Sequence, residues 1–160
     1  MSRQIQTSAL KSRVIDVALA HFSEVGIART NVGDILKDAN CSVGRLYHHF
    51  GNKEGIAEAL FINGVNQFNG NLLAALLPHR TASAGIKSIV TFCCDWVTDQ
   101  SQLAAYMLSR EIKLSESAKQ ELREIDRALA QALSNWFVPH VESGTLQQLS
   151  TGMYVPLICG

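Results

Sequence analysis

TNVGDILKDANCSVGRLYHHFGNKEGIAEAL, the stretch Thr30–Leu60, decides how the rest of the chain is read. It divides into a helix, a tight turn, a second short helix and the start of a third. Asn31 is placed to cap the first helix, whose third residue is Asp34, a weaker form of the reciprocal capping box. Ile35, Leu36 and Ala39 give that helix an apolar face. Asn40 stands where the chain must leave it, and Asn tolerates the left-handed backbone conformation better than most residues. Ser42 is placed to cap the second helix. Leu46 and Phe50, four apart, anchor that helix inward. Arg45, Tyr47, His48 and His49 crowd into the same few residues, with Arg45, His48 and His49 free to face outward. Gly51-Asn52 breaks the pattern, and Asn52 is placed to cap the third helix. A short helix dense in cationic and hydrogen-bonding side chains, set behind a supporting helix, suits insertion into a DNA major groove.

Outside this stretch every strong periodic signal is also helical, so the expected fold class is all-α. Leu10, Val14, Ala18 and Phe22 step by four, and Gly26 ends that helix. A long helix is expected from Lys53 to Leu77, stopping at Pro78. Gly64 and Gly70 lie inside it, each costing up to ~1 kcal/mol against Ala, and would let it bend. His79 to Gly85 reads as a loop, followed by a helix carrying Ile86, Ile89, Val90, Cys93 and Val97. A shorter helix is expected from about Gln102 to Glu111. The next is expected to start near Ser117 and to end just before Pro139. A last apolar stretch runs from Leu146 to Cys159. The domain division that follows is 1–52 for a helix-turn-helix head and 53–160 for a helical body.

The 160 residues fit one compact domain or two small ones, and 47% hydrophobic residues are ample for a core. The formal net charge is zero. Residues 1–55 hold seven Lys/Arg against five Asp/Glu, an excess of two, and the remainder holds seven against nine, the opposite excess. So small an electrostatic footprint means that any nucleic-acid specificity must come from placement rather than bulk charge. Cys41, Cys93, Cys94 and Cys159 include no pair at metal-ligand spacing. No signal peptide stands out, and no apolar run reaches the roughly 20 residues of a membrane span. A reducing cytoplasm is the expected setting, with no membrane partner. Cys93-Cys94 could serve as a redox sensor, but their apolar surroundings favour buried packing, and buried packing is likewise favoured for Cys41. Lys119, Arg123 and Arg127, interleaved with glutamates, read as a solvated helix face. His48 and His49 point roughly 100° apart on a helix and cannot easily chelate one ion. No phosphate-binding Gly-rich loop, nucleophile elbow or zinc-protease signature is present, so an enzyme is not expected and no cofactor or metal is implied.

The residues Val14-Ile15, Ala18, Phe22, Gly26, Thr30, Val32, Asp34-Ile35, Ala39, Ser42, Gly44, Leu46-Tyr47, His49-Phe50 and Lys53-Glu54 together resemble the DNA-binding domain of the TetR family of bacterial transcriptional regulators. The resemblance covers about the first third of the chain. It departs at Asn40-Cys41, where the family usually has Gly-Val, and at Leu36, where it usually has Ala. It implies a TetR-like fold, with a three-helix head and a helical body for ligand binding and dimerisation. It further implies a homodimer, paired through its C-terminal helices, that binds a pseudo-palindromic DNA operator as a repressor answering to a small-molecule effector. The alternative is a protein-binding adaptor that keeps the head without sequence-specific DNA binding.

The expected DNA-binding residues are Asn31, Ser42, Val43, Gly44, Arg45, Tyr47, His48, His49 and Lys53. Arg45 would read a guanine, while Tyr47 and Lys53 match the family's phosphate-contacting positions. Trp96, Tyr106, Met107, Trp136 and Phe137 are either lining for an effector pocket or plain core. Family members usually continue past a segment like Thr151–Gly160 into one more helix. The chain is therefore expected to be either a fragment or a protein with a reduced dimer interface, and in either case to dimerise weakly or aggregate.

Overall fold

A computed structural model of the chain describes residues 2–109 and 111–146. The stretch from Leu146 to Cys159, with the expectations about truncation and association built on it, lies outside the described residues beyond Leu146 itself. Among the described residues there are seven helices and no strand: α1 (Ser2–Val25), α2 (Val32–Asp38), α3 (Val43–Phe50), α4 (Lys53–Leu76), α5 (Ala82–Asp99), α6 (Ser101–Leu108) and α7 (Glu116–Glu142). The all-α, TetR-like reading stands.

Three expected boundaries move. Ala82–Gly85 belong to α5 rather than to a loop. Thr81 starts that helix early, its hydroxyl accepting from the Ala84 N–H at 3.4 Å and its carbonyl from Gly85 N–H at 3.0 Å. The sixth helix is shorter than expected and ends at Leu108. Pro139 lies inside α7 rather than past its end. Proline forfeits one helical bond, but only the last turn follows it. Side chains on both sides hold the register: Phe137 is buried, and Trp136 packs at a tilt against His140 with ring centroids 4.5 Å apart.

The chain folds as two compact units. The first comprises the residues up to Val65 together with Gln100–Ala118, and so holds α1 to α3, the first part of α4, and α6. This grouping differs from the division at 52/53 read from the motif. Leu10, Val14, Ala18 and Phe22, the four-residue stripe of α1, are all buried, as are Ile35, Ala39, Leu46, Ile56, Ala57 and Leu60. α6 joins this core through Leu103, Ala104 and Tyr106. The Tyr106 hydroxyl donates to the Ala57 carbonyl at 2.8 Å, and its ring stacks on Phe22 at 6.1 Å. Burial pushes the phenol far above its ordinary range, so it stays a neutral donor. Gly64 lets α6 approach α4 closely: a methyl group there would stand 2.8 Å from Met107 Sδ and 3.1 Å from Leu103 Cδ1. At Gly64, then, the structure shows close packing; the bend foreseen at this glycine is not its evident role.

The second unit comprises Asn66–Asp99 together with residues from Lys119 onward. Its core is Leu72, Leu76, Ile89, Leu129, Leu133 and Phe137, with Phe68, Phe92, Cys93, Trp136 and Leu146 packed against it. Trp136 Nε1 donates to the His79 carbonyl at 3.0 Å, and Trp96 meets Phe68 edge-on at 4.9 Å. Cys94 is exposed and Cys93 and Cys41 are half-buried, so the expected burial of the thiols fails at Cys94 and is partial at the other two. Cys94 lies one residue round the α5 turn from Cys93, and only Cys93 faces the core.

Candidate nucleic-acid interface

The supporting and recognition helices are set by local chemistry. Asn31 Oδ1 accepts from the Gly33 N–H at 2.9 Å, which caps α2 as its sequence suggests. α2 ends in paired bonds, Cys41 N–H to the Leu36 carbonyl at 2.9 Å and Asn40 N–H to the Lys37 carbonyl at 3.1 Å. These are the two bonds of a Schellman ending. Asn40 takes the left-handed position it requires, with φ at 47°. The departure from Gly-Val at Asn40-Cys41 therefore leaves the turn intact. Gly51, with φ at 74°, ends α3, and Asn52 Oδ1 accepts from Gly55 N–H at 2.7 Å to cap α4. Ser42 behaves differently from expectation: it stands at the N-cap of α3, but its hydroxyl makes no capping bond. Only its carbonyl is used, accepting from Leu46 N–H at 3.1 Å.

α3 presents two distinct faces. Leu46 is fully buried and Phe50 half-buried, while Ser42, Val43, Gly44, Arg45, Tyr47 and His48 are exposed. Val43 at 58% and Tyr47 at 51% exposure are large apolar groups left uncovered on the same side of a helix. His49 is half-buried. Burial, and then the charges of His48, Lys11 and Arg45, hold its imidazole below the ordinary histidine range. Lys11, on α1, was not among the residues singled out from sequence. Nothing in local spacing pairs it with α3; only the packing of α1 brings it within reach.

Lys53 sits otherwise than a free phosphate clamp would. Its ammonium donates to the carbonyls of Ala28 at 2.9 Å and Thr30 at 3.1 Å, so two of its three donors hold the turn between α1 and α2. Thr30 reinforces the same turn, its hydroxyl donating to Gly26 O at 2.8 Å. His21 Nε2 and Asp38 Oδ2, 2.9 Å apart, tie α1 to α2.

The residues expected to line an effector pocket divide between the two units. Tyr106 and Met107 belong to the first unit, where Tyr106 spends its hydroxyl on Ala57. Trp96, Trp136 and Phe137 belong to the second, and of these Phe137 is core and Trp136 is bonded to His79.

A capped helix-turn-helix whose second helix buries one face and exposes an arginine, a tyrosine and a histidine on the other is the head of a DNA-binding transcriptional regulator. Residues 14–60 match the family described as bacterial regulatory proteins, tetR family. This segment is a TetR-family DNA-binding domain. It is 28% identical over 134 residues to IcaR of Staphylococcus epidermidis, the negative transcriptional regulator of a biofilm operon, covering 81% of this chain and 70% of IcaR. It is 26% identical over 106 residues to the transcriptional repressor KstR2 of Rhodococcus jostii, covering 66% of this chain and 52% of KstR2. In fold it is similar to the transcriptional regulator FadR of Bacillus subtilis, solved with stearoyl-CoA, at a TM-score of 0.75 and 23% identity over 93% of this chain and 81% of that one. Among the described residues no helix is long and apolar enough to cross a membrane.

Proposed function

We propose that this regulator is a ligand-responsive repressor that binds a pseudo-palindromic operator as a homodimer, with α3 of each protomer in a major groove. One observation carries the DNA-binding part: α3 is fully anchored through Leu46 while Val43, Arg45, Tyr47 and His48 remain uncovered. Two such helices would enter successive major grooves about 34–36 Å apart. Arg45 supplies a forked donor for guanine O6 and N7, and Val43 an apolar contact for a thymine methyl. Tyr47, His48, the free Ser42 hydroxyl and the amides at the start of α3, opened by the absence of a side chain at Gly44, face phosphate. Asn31 keeps its amide nitrogen for the same backbone, since only its oxygen is used in the cap. Lys53 contributes chiefly by fixing the turn behind α2.

The effector reading rests on the second unit. A groove of about 400 Å³ there is lined by Asn66, Asn69, Gly70, Leu73, Glu124, Ile125, Ala128 and Leu129. Asn69 Nδ2 is buried without a partner, and so is Trp96 Nε1 in the same unit. A largely apolar ligand with a hydrogen-bond acceptor would satisfy such a donor. The test is a pull-down of genomic fragments with the purified protein, followed by titration of the recovered fragment against salt. A repressor shows a slope of about −0.9 in log K against log salt for each phosphate it neutralises. A flat response with no fragment enriched identifies an adaptor instead.

A further inference from the structure

α1 and α6 pack directly against each other within the first unit, and a cleft of about 400 Å³ opens along their seam. Small-molecule sites usually measure about 300–1,000 Å³. Phe22 of α1 and Tyr106 of α6, near-parallel with ring centroids 6.1 Å apart, line the cleft together with Ile27 and Ala105. Its polar lining is Ser23, Ser101, Gln102, Ser109 and Glu111. Among the described residues none of the first four finds a side-chain hydrogen-bond partner. Glu111 is the only charged residue among those described in the lining, and its carboxylate is fixed in place. Oε2 accepts from Ile27 N–H at 3.2 Å. A methyl group at Gly26 would stand 3.2 Å from Oε2 and 3.5 Å from Oε1, so the missing side chain there lets the carboxylate lie against the turn. Oε1 has no hydrogen-bond partner, and the carboxylate has no cation, among the described residues.

We propose that this cleft is a binding site for a small organic cation, an ammonium group carried on an apolar or aromatic body. The two rings, Ile27 and Ala105 take the body out of water, and an aromatic wall attracts the positive charge as well. Glu111 Oε1 accepts from the ammonium in a charge-assisted bond, stronger than a neutral one. The uncommitted hydroxyls and the Gln102 amide oxygen accept from its remaining N–H groups. A neutral ligand leaves the carboxylate without a counter-charge, and an anion meets it as a like charge. The cleft shares no residue with the exposed face of α3 or with the groove of the second unit. Its chemistry is also the reverse of that groove's, where the free Asn69 Nδ2 calls for an acceptor. A cation bound here touches α1 and α6 at once, so it opposes their separation and stabilises the first unit.

The test titrates the isotopically labelled intact chain with phenethylammonium chloride and, separately, with phenethyl alcohol, its neutral counterpart, following amide shifts by NMR. The amine should shift the amides of Ser23, Ile27, Ala105 and Glu111 saturably. The alcohol should bind the same cleft about fivefold more weakly, the upper end for an ion pair at an exposed carboxylate. Glu111→Gln keeps an acceptor for Ile27 N–H and removes the charge. It should weaken amine binding by the same factor and leave the alcohol unaffected. Ala105→Leu, at an exposed helical position, fills the cleft and should abolish binding of both. Equal affinities for amine and alcohol, or an unchanged amine affinity in Glu111→Gln, overturn the assignment to a cation. Saturable shifts confined to Asn69 and Gly70 put the amine in the groove of the second unit and overturn the site, as does the absence of any saturable shift. The comparison of amine with alcohol needs no variant, so it decides the matter even where a substitution unfolds the chain.

Discussion

Lys53→Met separates two roles for one ammonium. The substitution keeps most of the aliphatic stem and removes the charge that donates to Ala28 O at 2.9 Å and Thr30 O at 3.1 Å. A hydrogen bond from a charged donor has a net value of about 1.5–3 kcal/mol. Lys53 is only half-buried, so water reaches the abandoned carbonyls and the low end applies to the pair together, about 2 kcal/mol. For a chain of this size each kcal/mol moves Tm by roughly 2–4 °C, so a fall of about 4–8 °C is expected. Thermal melts of the intact chain by circular dichroism measure it. Hydrogen exchange at the α2 and α3 amides locates the loss in the head, because the turn held by Lys53 leads directly into α2. DNA affinity should fall on every sequence, while the salt slope changes by well under the ~0.9 expected for one lost phosphate contact. An unchanged Tm together with a slope reduced by the full ~0.9 would refute the reasoning, showing that the ammonium leaves the turn for DNA and that the turn stands without it.

Arg45→Ala should cost about 1–3 kcal/mol on the selected operator and relax preference at one base position; equal losses on all sequences in a competition assay would make it a phosphate contact. Tyr47→Phe should weaken DNA binding without lowering Tm, since the half-exposed ring stays in place; undiminished affinity would mean that the hydroxyl is idle. Gly64→Ala should destabilise the first unit, because its methyl would meet Met107 Sδ at 2.8 Å, an overpacking cost of about 1–3 kcal/mol set against up to ~1 kcal/mol of gained helix propensity. Met107→Ala combined with it should recover part of the loss, and a strictly additive double mutant in urea melts would show that the two residues do not collide.

The head was legible because its punctuation is local. Asn31, Asn40 and Asn52 each act within three residues of themselves, so their caps and turn could be read from the chain alone, and all three are observed. Local rules failed where two options were both local. Ser42 has the right side chain for a cap and leaves it unused. Thr81 was passed over in a stretch that reads as loop, yet it starts α5. Pro139 is a stop signal overridden by packing on either side. What sequence could not supply was the partner across space. The carbonyls that receive Lys53 carry no residue signature, since every residue has one. The charge of Lys11 acts on His49 of α3 only after α1 has packed, and a stripe of buried residues at Leu10, Val14 and Ala18 says which side of α1 is hidden without saying what lies along its rim.

Tyr106 shows the same limit and has a consequence for signalling. An aromatic residue at helical spacing is core or pocket lining according to what its polar tip finds, and here the tip finds the carbonyl of Ala57. Two further contacts fasten the segment after it. Glu111 accepts from Ile27 N–H at 3.2 Å, and Glu58 accepts from the Ser115 hydroxyl at 2.9 Å as well as from its N–H. α6 and its flank therefore belong energetically to the unit that carries α3. The three contacts are not equal. Those of Glu111 and Glu58 are exposed, and water replaces them at little cost. The Tyr106 bond is buried, and breaking it costs about 1 kcal/mol or more. An effector that acts by displacing α6 must bind the displaced state better by at least that amount, and operator DNA must then weaken effector binding by the same factor. In Tyr106→Phe that resistance is gone. The variant should release α6 at lower effector concentration while the proposed DNA-binding residues, none of which lies on α6, stay as they were.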